Sequence, residues 1–336
     1  MSLSFSDFIY TQRIRKIPKP TESFAGKTVI VTGGNSGLGK EAVKHFIRLK
    51  ARKVIIGCRS TSKGKAAKLA IETALKCSPD IIEIWEVDLE SPATIIEFIA
   101  RVNKLSRLDA FINNAGIMEL QFKLTNGVER TLAVNVIGTF LLALQIVPKL
   151  KETASVYGVT PHLTFLGSAL YSVAKYPENP GADIFTYLSD KDNVDIMNQY
   201  NLSKQLLTFI IVKLATIVDP LSGGKSSNPH PIIINCLDPC FCKTELASDS
   251  LSPALKVAGK VFQFLFARTA EEGSRLVVIA ASAGRETHGG YMRAGNLLPY
   301  APFVTSVEGV EKGDYLWELL GRKLEEIQPG VLANVS

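Results

Sequence analysis

The stretch Thr32-Gly33-Gly34-Asn35-Ser36-Gly37-Leu38-Gly39 decides the fold. Ahead of it runs Lys27-Thr28-Val29-Ile30-Val31, apolar and β-branched, the composition of a strand. Behind it, from Lys40 to Lys50, residues Ala42, Val43, Phe46, Ile47 and Leu49 recur at helical spacing. Strand, glycine-rich turn and helix therefore follow one another without a gap. Glycine tolerates positive φ and lets a phosphate reach the backbone without a Cβ in the way. The start of the helix then offers that phosphate unpaired N–H groups and a positive dipole end. A plain β–α turn could use the same residues, but the correct flanking strand and helix favour the phosphate-binding reading.

Working outward, the pattern repeats. Strands are expected at Lys53–Gly57, Ile82–Val87, Asp109–Asn113, Pro161–Gly167, Ile232–Cys236 and Gly289–Met292. Helices are expected at Thr61–Lys76, from Ser91-Pro92 to about Leu105, and from Thr125 to Pro148 or Leu150. Further helices are expected from Tyr200 through Ala215, over Glu245–Ala267 as a pair, from Thr269, and over Gly313–Ile327. Alternating strands and helices call for a parallel sheet covered on both faces: an α/β, doubly wound, Rossmann-type single domain. Right-handed crossovers bring the strand C-termini to one edge, where ligands of such sheets bind. Residues 1–24 read as an N-terminal arm, 25–300 as the domain and 301–336 as a C-terminal helical extension.

Composition bounds the partners. The 336 residues carry 38 basic and 32 acidic side chains, a net charge of +6 spread along the chain. No dense basic stripe with interleaved aromatics argues for nucleic acid. The five cysteines, Cys58, Cys77, Cys236, Cys240 and Cys242, are odd in number and irregularly spaced. They argue against a disulfide framework or a metal site and for reduced thiols. No apolar run approaches the roughly 20 residues of a membrane span, and no signal peptide is seen at the N-terminus. A cytoplasmic protein without a membrane span is expected, and a homodimer is left open.

In dinucleotide folds the residue about twenty past the glycine turn meets the adenosine ribose, where an acid suits a 2′-hydroxyl and Arg a 2′-phosphate. Counting from Gly39, that residue is Arg59, with Lys63 a second cation. No acid lies between Gly57 and Lys68. NADP(H) is therefore the expected cofactor.

The turn's spacing, Thr-Gly-x3-Gly-x-Gly, resembles that of the short-chain dehydrogenase/reductase family at Thr32, Gly33, Gly37 and Gly39. Asn113-Asn114-Ala115-Gly116 at a strand end, Asn135 in a helix, and Ser168 after the fifth strand match its later motifs in order. The resemblance covers about Lys27 to Met292. It is nearest the retinol-dehydrogenase-like and WW-domain-oxidoreductase-like branch, and is similar to fungal secondary-metabolite reductases. The family uses a Tyr-x3-Lys pair on a helix, and two occur: Tyr171/Lys175 and Tyr200/Lys204. Pro177 and Pro180 stop any helix after the first, whereas the second opens a long helical pattern. Tyr200 and Lys204 are chosen. About twenty extra residues, Tyr176 to Gln199, separate them from Ser168. In Pro239-Cys240-Phe241-Cys242-Lys243-Thr244 the family's Gly and Val are replaced by Cys240 and Cys242, which puts the φ of that turn in question.

The resemblance implies roles. Gly33, Ser36, Gly37, Leu38, Gly39, Asp88, Asn114, Ala115, Gly116, Cys242 and Thr244 would hold the cofactor, together with Tyr200, Lys204, Arg59 and Lys63. Asp88 would meet the adenine. Asn135, Ser168, Tyr200 and Lys204 would be catalytic, with Asn135 holding a relay water and the Lys204 ammonium lowering the Tyr200 phenol from its ordinary value of about 10. The expected reaction is hydride transfer between NADPH and a carbonyl or alcohol of a bulky, apolar small molecule. An isomerase or epimerase on the same fold, or a non-catalytic NADPH-binding scaffold, are the alternatives. The stretches Tyr176–Gln199 and Glu245–Ala267 are read either as packing on the protein's own core or a partner, or, for the second, as a lid over an apolar substrate.

Overall fold

The computed structural model describes residues 5–178, 180–181, 183–222, 225–226, 231–243, 246, 263–264 and 266–335. Seven parallel strands form its centre: β1 Thr28–Thr32, β2 Lys53–Cys58, β3 Ile82–Glu86, β4 Ala110–Asn113, β5 His162–Leu166, β6 Ile233–Asp238 and β7 Tyr291–Arg293. An eighth, β8 Asn296–Leu298, runs antiparallel to β7. The order across the sheet is β8-β7-β6-β5-β4-β1-β2-β3. Strand order reverses between β1 and β4, the point at which doubly wound sheets open a crevice. The antiparallel β8 was not expected from the sequence.

The long helices among the described residues are α1 Gly37–Arg48, α2 Thr61–Leu75, α3 Pro92–Val102, α4 Arg130–Tyr157, α5 Ile196–Val218, α6 Ala270–Ala280 and α7 Val307–Ile327. Side chains of one strand alternate between two cores. In β1, Ile30 joins α3, α4, α5 and α7, whereas Val29 and Val31 join α1, α2 and α6. β1 is buried at all five positions, as a central parallel strand must be.

Three boundaries differ from expectation. Leu124–Thr125 and Val128–Glu129 pair as a small hairpin, closed by Asn126 and Gly127 at φ 51° and 75°, the backbone of an Asn-Gly turn. The helix expected from Thr125 thus starts at Arg130, where the buried Glu129 carboxylate accepts the N–H groups of Thr131 and Leu132. It passes Pro148 and ends only at Gly158, whose φ of 61° closes it. α5 starts four residues ahead of Tyr200, capped by Asp195.

The arm and the extension are parts of the core. Ile17 and Phe24 are buried with α1, and the Arg268 guanidinium donates to the Thr11 and Arg15 carbonyls. α7 lies on α5 and buries Leu316, Leu319, Leu320 and Leu324. The segment Tyr176–Gln199 packs on α7 as well: Asp183 pairs with Lys323 at 3.1 Å, and Lys312 stands 3.9 Å over the Tyr176 ring. Two helices, α4 and α5, are long and apolar enough to cross a membrane by length and composition. Their buried positions in this core account for that character.

Burial also fixes how the fold responds to acid. His162 opens β5, with Nε2 2.8 Å from the Ala283 carbonyl oxygen. Burial pushes its pKa down from 6.5 to about 4. The folded value lies below the unfolded one, so the unfolded chain binds the proton first as pH falls. Stability is therefore whole above pH 6.5 and is lost toward pH 4, by roughly 3 kcal/mol from this residue. Urea midpoints measured across that range should fall, and His162→Gln should flatten the acid limb. An equally steep limb in that variant would refute the assignment.

Candidate active site

The glycine turn is built as its sequence requires. Gly33 and Gly37 have φ of 65° and 50°. A Cβ on Gly39 would lie 2.6 Å from the Gly33 carbonyl oxygen and 2.7 Å from Asn114 Nδ2. The turn is thus closed on itself and on the β4 loop. Thr32 locks the two together: its Oγ1 accepts the N–H groups of Asn114 and Ala115, each at 3.0 Å, and Asn114 Nδ2 donates to the Thr32 carbonyl at 2.7 Å.

One contrast shows what this turn is for. Side-chain oxygens of Ser60, Ser91, Glu129, Asp195, Thr269 and Ser306 accept N–H groups at the starts of α2 to α7. At α1 the capping residue Ser36 makes no such bond. Among the described residues, α1 is the long helix whose first N–H groups no side chain covers. Those groups and the dipole of α1 fit the diphosphate of a dinucleotide. Leu38, buried, anchors the first turn of α1 against Gly273.

The residues expected to face the adenosine follow β2 and β3. Arg59 is 63% exposed, and its Nη1 lies 3.5 Å from Glu90 Oε1. Sequence spacing hid this acid, which comes from 31 residues away. The Arg130 fork holds Glu90 at 2.7 Å, and that bond keeps the Glu90 carboxyl below its usual range. Lys63 is exposed, one turn beyond Ser60. Asp88 Oδ1 accepts the Glu90 N–H at 3.0 Å, so one of its oxygens shapes the turn.

At the centre, Ser168 follows β5 and opens a 3-10 turn, Ala169–Val173. Tyr200 is buried in the first turns of α5, and the Ser168 hydroxyl acts on its phenol, favouring the ionised form. Lys204, one turn along α5, donates from Nζ to the Leu166 carbonyl at 2.7 Å. Asn135 sits in a π-helical turn of α4, Ala133–Gly138, a bulge of the sort that re-aims a side chain. Its Nδ2 donates to the Ile117 carbonyl at 2.9 Å and to Ser203 Oγ at 3.0 Å, and its Oδ1 accepts the Ile117 N–H. A Cβ on Gly116 would stand 3.1 Å from Asn135 Oδ1 and 3.8 Å from Lys204 Nζ. Glycine there keeps the space between them open. Ser168, Tyr200, Lys204, Asn135 and Gly116 thus converge on one edge of the sheet.

Tyr171 lies elsewhere. Its hydroxyl accepts the Ala301 N–H at 2.8 Å, and its ring meets Tyr291 edge-on at 5.3 Å. Cys240 takes φ 65° in the turn after β6, the conformation that the absent glycine would have adopted freely. The Cys242 thiol is buried and donates to the Pro239 carbonyl at 3.2 Å. Only its backbone is therefore left to face a ligand. Thr244 and almost all of Glu245–Ala267 lie outside the described residues.

The electrostatics correct one expectation. Burial holds the Tyr200 phenol above its ordinary value; the Asp238 charge adds to this and the Ser168 hydroxyl opposes it. Burial also lowers Lys204, to about 8. Removing water from both groups outweighs the attraction that a phenolate would have for the ammonium, whose Nζ is already bonded to Leu166.

Comparison with known proteins gives the family and the fold. The family model "short chain dehydrogenase" matches residues 27–175. The chain is 38% identical over 332 residues to a short chain dehydrogenase/reductase, dmxR8, of Cryptosporiopsis sp. (strain 8999), covering 97% of this chain and 99% of that one. The chain belongs to the short-chain dehydrogenase/reductase family. It is also 37% identical over 294 residues to the short chain dehydrogenase atnD of Emericella nidulans, covering 86% of this chain and 91% of that one. Among solved structures it shares its fold with a putative NAD(P)-dependent gluconate 5-dehydrogenase from Beutenbergia cavernae. The TM-score is 0.58 at 19% identity, over 81% of this chain and 96% of that one. As a short-chain dehydrogenase/reductase the protein is an oxidoreductase that binds a nicotinamide cofactor.

Sequence reasoning missed Glu90, Arg130, Asp238 and Arg293. The first two meet over 40 residues and the last two over 55, separations at which no local pattern speaks.

Proposed function

We propose that the protein transfers hydride between NADP(H) and a carbonyl or alcohol of a bulky, apolar small molecule, in the making of a secondary metabolite. The observation that carries this reading is the bonding of Lys204 Nζ to the Leu166 carbonyl, two residues before Ser168, with Tyr200 one turn back on the same helix and Asn135 bonded to Ser203 beside Lys204. NADPH, when bound, would supply the hydride, and NADP+ would take it up in the reverse direction. Tyr200 gives its phenolic proton to the oxygen that gains charge. Ser168 hydrogen-bonds that same oxygen and fixes its distance from Tyr200. Lys204 holds positive charge behind the phenol and stabilises it as it loses the proton. Asn135 and Gly116 line the route by which Lys204 communicates with solvent.

An apolar substrate is supported by Leu170, Val173 and Met197, which are 39%, 49% and 67% exposed beside Ser168 and at the start of α5. The segment Tyr176–Gln199 lends no support, since it packs on α7. The secondary-metabolite setting rests on the branch that the motifs resemble. A cytoplasmic location is supported by the five cysteines, all of them free thiols.

Preference for NADPH rests on Arg59, whose planar fork suits a 2′-phosphate. Arg59→Asp should weaken NADPH by roughly 10- to 100-fold, the range of a lost charge-assisted bond, and leave NADH within a few-fold. Fluorescence titration of each reduced cofactor reads this directly. Equal affinity of the wild type for both would remove the basis of the preference.

A further inference from the structure

The N-terminal arm reaches the edge of the sheet where ligands bind. Phe5–Ile9 is a short helix that runs into a π-helical turn, Tyr10–Ile14. From that turn Gln12, 5% exposed, donates from Nε2 to the Phe241 carbonyl at 2.8 Å. The Phe8 ring stands 6.4 Å from the Phe241 ring and 6.2 Å from the Phe266 ring. Phe241 lies in the turn Pro239–Lys243, which follows β6 at the C-terminal edge of the sheet. Arg268 binds this turn through its backbone: its N–H donates to the Phe241 carbonyl and its carbonyl accepts the Lys243 N–H, each at 2.9 Å. The guanidinium of the same residue donates to the Thr11 and Arg15 carbonyls of the arm.

The turn also meets the phosphate-binding end of α1. A Cβ built on Gly273 would run into the Cys242 thiol and the Leu38 side chain, and would lie 3.4 Å from the Pro239 carbonyl oxygen. Leu38 belongs to the first turn of α1. Contacts therefore run without a break from the arm, through the turn after β6, to the start of α1.

We propose that the arm is part of the cofactor site, with Gln12 as a positioning residue: it holds the turn Pro239–Lys243 in place, so that arm docking and cofactor binding strengthen one another. The inference rests on the reading that the bound dinucleotide lies along the glycine turn and the turn after β6. A turn already ordered by the arm spares the ligand the cost of ordering it.

Anchoring the arm does not explain Gln12. The Arg268 fork, the Arg275 Nη1 bond to the Ile17 carbonyl at 2.7 Å, and the buried Ile17 and Phe24 already tie the arm down. Among the described residues Gln12 Oε1 is buried without a partner. An amide buried with one half unpaired costs free energy that an apolar side chain would not. The Phe241 carbonyl has two lone pairs and keeps the Arg268 N–H if Gln12 is replaced. Loss of the Gln12 bond thus frees the turn without leaving an orphaned carbonyl.

The test separates stability from binding and needs no turnover. In full-length Gln12→Leu the melting temperature should stay close to that of the wild type. Fluorescence titration uses whichever of NADPH and NADH the wild type binds more tightly, so the outcome does not depend on the preference for NADPH. The dissociation constant should rise roughly 3- to 10-fold, the range of one net hydrogen bond. Linkage then requires the cofactor to hold the arm down in return. Saturating cofactor should slow tryptic cleavage of the wild type after the exposed Arg13, under conditions that leave α7 uncut, and should slow it less in Gln12→Leu. Unchanged affinity in the folded variant, or an arm cut equally fast with and without cofactor, overturns the proposal. The cleavage measurement on the wild type decides it even if the variant does not fold. A folded wild type that binds neither cofactor would overturn the reading of the site along with it.

Discussion

Tyr200→Phe should lower turnover by roughly 10³-fold, within the 10²- to 10⁴-fold that a positioned proton donor contributes. NADPH affinity should stay nearly unchanged, because the buried ring and its packing remain and only the hydroxyl is lost. Tyr171→Phe is the matched control. Its hydroxyl accepts the Ala301 N–H in the core, so the variant should lose about 1–3 kcal/mol of stability yet keep substantial activity. Steady-state kinetics against a panel of apolar ketones, with cofactor binding measured separately, distinguishes the two. Comparable turnover loss in both variants would undo the choice of Tyr200.

Removal of residues 307–336 should abolish the folded state. That deletion takes Leu316, Leu319, Leu320, Leu324, Val331 and Val335 out of the core. Each aliphatic side chain stabilises by about 1.5–3 kcal/mol when buried. Together they match or exceed the whole stability of about 5–15 kcal/mol expected of a domain. Leu320→Ala gives the graded version, with an expected cost of about 2–5 kcal/mol in urea unfolding. A truncated chain that melts as cooperatively as the full one, at the same temperature, would show α7 to be an appendage.

The centre of the fold was legible because its signals are local. β1, the glycine turn and α1 follow one another in 21 residues, and each states its own periodicity. Tyr200 and Lys204 were legible because a spacing of four is one helical turn, while Pro177 and Pro180 denied that turn to the competing pair. The hairpin at Leu124–Glu129 was missed because strands of two residues have no alternation to read. Only Asn126-Gly127 announced it, and the long apolar run behind drew the helix assignment forward. The α4 terminus was missed because Pro148 reads as a stop, yet it lies within the helix. The Glu90–Arg130 and Asp238–Arg293 pairs were invisible for another reason: strand order creates them, and strand order is not written in either segment. The same holds for the phenol of Tyr200. Its charge balance depends on how much water the fold removes, which spacing does not reveal.

The position of α7 over α5 has a consequence for how the chain is made. Synthesis runs from the N-terminus, so α4 and α5 leave the ribosome well before the segment 307–335 that seals part of their surface. During that interval two helices apolar enough to pass for membrane spans stand without part of their cover. Nascent surfaces of this kind are what holding chaperones bind and what aggregation exploits. The yield of soluble protein is thus set late in translation, and a stall or premature stop beyond Val218 releases a chain more adhesive than any shorter one.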